Sequence, residues 1–119
     1  MEIIAKSNYL RITPRKLRLV AKAIKDMSVF KALDKLKFID KKGHELISAV
    51  LHQALGNAKN NFKLNPDNLV IKEILVDEGP RLKRMDKSHG ARFNRGLKQK
   101  RLSHLQIILK EKTEKKIKD

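Results

Sequence analysis

Four histidines (His44, His52, His89 and His104), the acidic pair Asp77 and Glu78, and a few serines are the residues of this 119-residue chain whose types suit acid–base, metal or nucleophilic chemistry. Their spacing assembles none of it. His44 and His52 stand two helical turns apart rather than the one turn of a zinc pair, and no cysteine or carboxylate completes a site. Asp77 and Glu78 fall on opposite sides of a persisting strand, so ending that strand and contacting nearby cations is their plainer role. No P-loop, dinucleotide fingerprint or nucleophile elbow is present. The expectation is a chain that is not an enzyme, with no catalytic residues, no cofactor and no metal.

The chemistry the chain carries in quantity is cationic. Lysine and arginine number 29 against 13 aspartates and glutamates, a net charge of +16. Such a protein repels itself until a polyanion neutralises it, and nucleic acid is the first candidate. The charge is concentrated. Lys6, Arg11, Arg15, Lys16, Arg18, Lys22 and Lys25 lie in one stretch without an acid, and Arg81, Lys83, Arg84, Lys87, Arg92, Arg95, Lys98, Lys100 and Arg101 lie in another with only Asp86. The rest of the chain is close to balanced. Gly79, Gly90, Ala91 and Gly96 are interleaved with the second group and allow close approach of backbone to a nucleic acid. A solvated, disordered loop is the competing reading of this segment, but patterned strands on both sides anchor it at two ends. For the first group the competing reading, an ordinary solvated helix face, is stronger, and the lack of any acid decides against it.

Aromatic residues are few: one tyrosine, four phenylalanines and no tryptophan. Phe30, Phe38 and Phe62 are expected as core or staple residues, leaving Phe93 as the one aromatic placed to stack on a base. Recognition by shape and phosphate is therefore favoured over an aromatic single-strand platform. With no cysteine there is no disulfide framework. No stretch approaches the ~20 apolar residues of a membrane span, and the opening MEIIAKSNYLRITPRK lacks the apolar run of a signal peptide. A soluble intracellular protein is expected. Attachment to an anionic membrane is disfavoured because the basic segment has no apolar stripe to insert.

The elements that must position these cations follow from hydrophobic period. Ile3, Ile4, Ala5, Tyr9, Leu10 and Ile12 make an extended opening. Thr13 and Pro14 look like an N-cap and first residue of a helix, continued by Leu17, Val20, Ile24 and Met27 on one face. Ser28 is placed to cap a second helix with Val29, Ala32, Leu33 and Leu36 inward. Asp40 is placed to cap a third, the best patterned, with Ile47, Val50, Leu51, Ala54, Leu55 and Ala58 in one stripe. It ends near Asn60 and Asn61, before an Asn65-Pro66-Asp67 turn. LVIKEILVDE then reads as a strand with Leu69, Ile71 and Leu75 on one face, and LSHLQIIL as another with Leu105, Ile107 and Leu109 together. These two are expected to pair antiparallel, with the opening segment as a third strand, in a single α+β domain over residues 1–119. A globular core would take residues 1–78 and 102–110, a basic extension 79–101, and a frayed tail 111–119. If the strands run outward into the basic segment, each arm of about ten residues reaches roughly 33 Å. Such a ribbon needs a partner to hold it.

RITPRKLRLV (residues 11–20), SAVLHQALGNAKNN (48–61), VDEGPRLKR (76–84) and RLSHLQIIL (101–109) resemble, in order and over almost the whole chain, the large-subunit ribosomal protein family twenty-two. That resemblance implies three helices on a three-stranded antiparallel sheet with a long hairpin between the last two strands. It implies a structural role in the large ribosomal subunit: binding ribosomal RNA, aiding assembly, and lining the nascent-peptide exit tunnel with the hairpin tip. Arg11, Pro14, Arg15, Lys16 and Arg18 match the family's RNA-contacting helix start, and Lys22 extends it. Asn57, Asn60 and Asn61 match its asparagine-rich helix end, although Asn60 or Asn61 acting only as a helix cap fits as well. Gly79, Pro80, Lys83 and Arg84 match the outgoing arm, and Arg101, Ser103 and His104 the returning one. With Arg81, Lys87, Arg92, Arg95, Lys98 and Lys100 these complete the expected RNA-binding set. The tip departs from the family's proline-arginine-alanine stretch: MDKSHGARFNRG is slightly longer, and Ser88, His89, Gly90, Ala91 and Arg92 are the expected tunnel-lining residues. Implied partners are ribosomal RNA, neighbouring ribosomal proteins and the nascent polypeptide, with no membrane and no homo-oligomer. The implied place is the cytoplasmic ribosome, or an organelle's. The competing function is a basic DNA-binding architectural or regulatory protein, with helices two and three as a helix-turn-helix.

Overall fold

A computed structural model describes residues 2–92 and 96–112. Strand β1 (Glu2–Leu10) opens the chain and is followed by helices α1 (Pro14–Ile24), α2 (Val29–Phe38) and α3 (Gly43–Asn61). A short 3-10 turn at Pro66–Asn68 leads into β2 (Leu69–Met85), and β3 (Leu97–Glu111) closes the described fold. The three strands form one antiparallel sheet in the order β1-β3-β2. The α+β architecture, with its long β2–β3 hairpin, is the one expected.

The core sits between the helices and one face of the sheet. Leu17, Val20 and Ile24 of α1, Val29, Ala32 and Leu36 of α2, and Ile47, Val50, Leu51, Ala54 and Ala58 of α3 are buried against Ile3 and Ala5 of β1 and Leu105, Ile107 and Leu109 of β3. The helical stripes read from spacing of three and four are therefore the stripes that pack. Helix starts are less faithful. Thr13 and Ser28 hold the N-cap positions of α1 and α2, but neither side chain bonds a helix N–H. The third helix begins at Gly43 after Lys42, not at Asp40, with the His44 N–H already closed on the Lys41 carbonyl. Met27 lies past the end of α1, where its carbonyl accepts the Ile71 N–H and fastens the interhelix turn to β2.

Two further expectations fail for physical reasons. Phe30, Phe38 and Phe62 are not core: Phe38 is 87% exposed, and the other two are nearly half exposed. The inward face of α2 is taken by Val29, Ala32 and Leu36, and Phe30 and Phe38 fall outside that stripe. In β2 the buried residues are Leu69, Ile71 and Val76, because a bulge at Lys72 moves the inward set from odd to even positions and leaves Leu75 outside the core. At the other end, β3 includes Glu111, opposite Leu69, and the Lys112 N–H is bonded to the Asn68 carbonyl, so the ordered fold passes the expected tail boundary. Residues 113–119 of that tail lie outside the described residues.

The sheet does not end where the core ends. A second bulge sets Gly79 and Pro80 opposite Leu102, and there the hairpin leaves the globule. A Cβ on residue 79 would stand 2.9 Å from the Leu102 carbonyl oxygen, so only glycine permits this approach. Pro80 donates no ladder bond, which a bulge tolerates. Beyond it the two strands pair alone, from Arg81 opposite Arg101 to Met85 opposite Leu97. The longest dimension reaches 72 Å against 28 and 22 Å, and the radius of gyration is 18.5 Å. A compact chain of this length has roughly 13–14 Å.

Candidate nucleic-acid interface

The hairpin register decides what the arms present. Side chains of directly paired residues share a face of the ribbon. One face carries Arg81, Lys83, Gln99 and Arg101, with Met85 and Leu97 at its far end, and the other carries Leu82, Arg84, Lys98 and Lys100. Arg81 stands directly opposite Arg101, and Arg84 directly opposite Lys98. Like charges in this position destabilise a pair of strands. Internal compensation is slight: Arg81 lies 3.9 Å from Glu78 and donates to the Gln99 side chain at 3.4 Å, while Lys98 lies 3.5 Å from Asp86. Both faces are cationic and exposed, which suits a ribbon surrounded by polyanion rather than one laid on a surface.

The tip is closed from within. The Asp86 N–H donates to the Gly96 carbonyl at 2.9 Å, and the Asp86 carboxylate accepts the Ser88 N–H at 3.0 Å. The hydrogen bonds from Ser88, helped by the Lys98 charge, hold the Asp86 carboxyl below its usual range. His89 and Gly90 both adopt positive φ, 68° and 72°, and turn the chain into a single 3-10 turn at Gly90–Arg92. Lys87, His89, Gly90 and Ala91 are exposed, and Ser88 is half-buried. Phe93 and Arg95 lie outside the described residues, and so does the side chain of Arg92.

Helix α1 brings its cations to the foot of this hairpin. Arg15 and Arg18 line a cleft with Gly79, Arg81 and Arg101, joining the two basic stretches that lie some sixty residues apart in sequence. Arg18 is also a tether: its guanidinium donates to the Val76 carbonyl at 2.9 Å and ties α1 to β2. A neighbouring cleft is lined by Arg18, Lys22 and Lys25 against Glu73 of β2. Arg11 and Lys16 are exposed at the start of α1. Asn57, half-buried, and Asn60 and Asn61, exposed, lie in the last turns of α3. The residue that turns that helix end is neither asparagine but Lys63, at φ 51°, with the Leu64 N–H bonded to the Ala58 carbonyl.

His104 is placed differently from the lysines and arginines. It is half-buried, its Nδ1 accepts the Tyr9 N–H at 3.1 Å, and the two rings meet edge to face at 5.0 Å. It thereby supports a kink in β1, where Tyr9 has φ 58°. Ser103, the one buried polar side chain among the described residues, donates its hydroxyl to the Ile12 carbonyl at 2.6 Å and fixes the entry to α1. Neither role has a signature in spacing, because both partners are more than ninety residues away. Lys25 and Glu73 were equally outside the expected site, although Lys25 follows Arg18 and Lys22 at helical steps.

No group of three or more histidines, cysteines or acids converges on a metal site among the described residues, and no described helix is long and apolar enough to cross a membrane. The fold and its cationic ribbon describe a class of protein with an α+β globule and a basic hairpin arm. The family model for ribosomal protein L22p/L17e matches residues 5–110. The chain is 42% identical to large ribosomal subunit protein uL22 of Petrotoga mobilis over 95% of its length and 74% of the relative's. It is 42% identical to that of Akkermansia muciniphila, covering 92% and 96%, and 40% identical to that of Thermoanaerobacter sp. strain X514, covering 94% and 99%. The chain belongs to the ribosomal protein L22p/L17e family, whose members are structural, non-enzymatic proteins of the large ribosomal subunit.

Proposed function

We propose that this chain is a structural constituent of the large ribosomal subunit that clamps ribosomal RNA with the start of α1 and both faces of the β2–β3 hairpin, and lines the nascent-peptide exit tunnel with its tip. The observation that carries the reading is the ribbon itself: paired strands beyond the core, like charges in register, and no apolar stripe beyond Leu82 and the exposed Met85–Leu97 pair. Phosphates remove the repulsion, and lysine and arginine on both faces give the ribbon RNA on every side. Core and arm divide at the Gly79–Pro80 bulge. The RNA-facing set is Arg11, Arg15, Lys16, Arg18, Lys22, Asn57, Asn60, Asn61, Arg81, Lys83, Arg84, Lys87, Arg92, Arg95, Lys98, Lys100, Arg101 and His104, with His104 also serving the fold through Tyr9. Ser88, His89, Gly90, Ala91 and Arg92 face the passing polypeptide. The protein works as a single copy among neighbouring ribosomal proteins, on the cytoplasmic ribosome.

The DNA-binding alternative has weak support. Helix α3 is the central core helix, and of Lys41, Lys42 and Lys59 only Lys59 lies within it. Its outward side chains include Glu45, His52 and Gln53, a poor set for a recognition helix. Cosedimentation with large subunits in high salt separates the two: retention supports the ribosomal reading, and release of the protein free of subunits supports DNA. For the tip, a photocrosslinker at the neighbouring exposed position 91, which spares the positive φ of Gly90, should capture a stalled nascent chain. Crosslinks to RNA alone would remove the tip from the tunnel wall.

A further inference from the structure

We propose that the cleft where α1 meets the foot of the hairpin is a seat for one RNA backbone phosphate, shared by Arg15, Arg18, Arg81 and Arg101. The inference rests on the RNA-binding reading and sharpens it at one point. Three independent features converge there. The cleft holds about 80 Å³, room for a group several waters in size. Its lining residues include four arginines and one acid, Glu78, whose carboxylate lies 3.9 Å from an Arg81 nitrogen, a formal excess of three positive charges. Finally, strand register sets Arg81 directly opposite Arg101, so the two side chains leave the same face of the ribbon as neighbours. An anion placed between the charges relieves their repulsion.

The cleft is also built rather than incidental. Gly79 on its wall holds the two strands together there, because a Cβ would press on the Leu102 carbonyl and move them apart. The Arg18 bond to the Val76 carbonyl fixes the helix against the sheet at the rim. The ligand class is a phosphodiester at a bend of RNA passing from the globule to the arm. Guanidinium forks match its oxygens bidentately, which lysines would not.

A shared phosphate predicts non-additivity. The full chain and its variants are titrated with a large-subunit ribosomal RNA transcript over a potassium chloride series. Arg15→Gln and Arg101→Gln each weaken binding, but because the remaining guanidiniums still neutralise the same phosphate, each lowers the slope of log K against log salt by less than the roughly 0.7–0.9 of one contact. The double variant lowers it by at most that single step. A control pair on separate elements, Lys22→Gln with Lys100→Gln, lowers it by two steps. Arg18 is kept because it also tethers the fold, and melting of each free variant confirms that it is folded. A double variant that loses two steps assigns the arginines to different phosphates and overturns the seat. So do single variants that change nothing, and in both cases a control pair that still loses two steps leaves the RNA-binding reading standing. A wild-type chain that fails to bind the transcript overturns both.

Discussion

Strands β2 and β3 run through two environments with one hydrogen-bonding pattern. Below the Gly79–Pro80 bulge the ladder is braced by β1 on its far side and by helices on one face, with Ile71, Val76, Leu105, Ile107 and Leu109 buried. Above it the same two strands pair with no third described strand beside them, and mostly charged residues replace the buried ones on both faces. Backbone geometry is nearly indifferent to the change. What differs is the environment each half is written for: apolar side chains in one and, on the function proposed above, phosphate in the other. The lower half buries the apolar residues that hold the hairpin's foot, and the upper half buries almost none.

The sharpest way to break this comparison is to delete side chains on either side of the bulge. Leu51→Ala, beneath the sheet, should cost ~2–5 kcal/mol, as large-to-small core changes do. Leu82→Ala, 40% exposed on the arm, should stay within about 0.5 kcal/mol. Denaturant melts of the free protein check both, and comparable losses at the two sites would erase the distinction.

A smaller effect is expected at the joint. Ser103→Ala removes the buried hydroxyl bonded to Ile12 and leaves that carbonyl without its partner, at ~1–3 kcal/mol. RNA affinity of the folded variant should be unchanged, since Ser103 faces the core. A loss of affinity without a loss of stability would move Ser103 into the interface.

The smallest effect concerns the tip. The Asp86 carboxyl titrates below its usual 3.8 because the charged form accepts from Ser88 and sits near Lys98. A depressed folded value means that the tip's contribution is present above 3.8 and is lost as pH falls through the lower folded value. The Ser88 amide shift, followed by NMR through acid pH, should report a midpoint below 3.8 that Asp86→Asn abolishes. A midpoint at or above 3.8 would show that the closure is not made.

Much of this was legible in the sequence, and the omissions have a common cause. The three helical stripes, the inward set of β3 and the two basic stretches are local patterns, and local patterns survive folding. What spacing did not carry was register. The bulge at Lys72 switched the inward residues of β2, and the bulge at Gly79 placed Arg81 opposite Arg101; both depend on how many residues face one partner. Phe30 and Phe38 are exposed because position on the helix, not apolarity, decides which side chains of α2 face the core. The roles of Ser103 and His104 were hidden because their partners lie at the other end of the chain. On the candidate interface, the cations themselves were plain, and the cleft that gathers four arginines was not.

Amide hydrogen exchange along β2 and β3, in the free chain and bound to ribosomal RNA, tests the division at the bulge most directly. In the free chain, amides at Leu105, Ile107 and Leu109 of the centre strand, paired on both sides, should exchange slowly, and those between Arg81 and Met85 and between Leu97 and Arg101 within the fastest class. RNA should slow the second group and leave the first unchanged. Arms as protected as the core in the free chain, or arms that stay unprotected on RNA, would contradict a ribbon that depends on its polyanion.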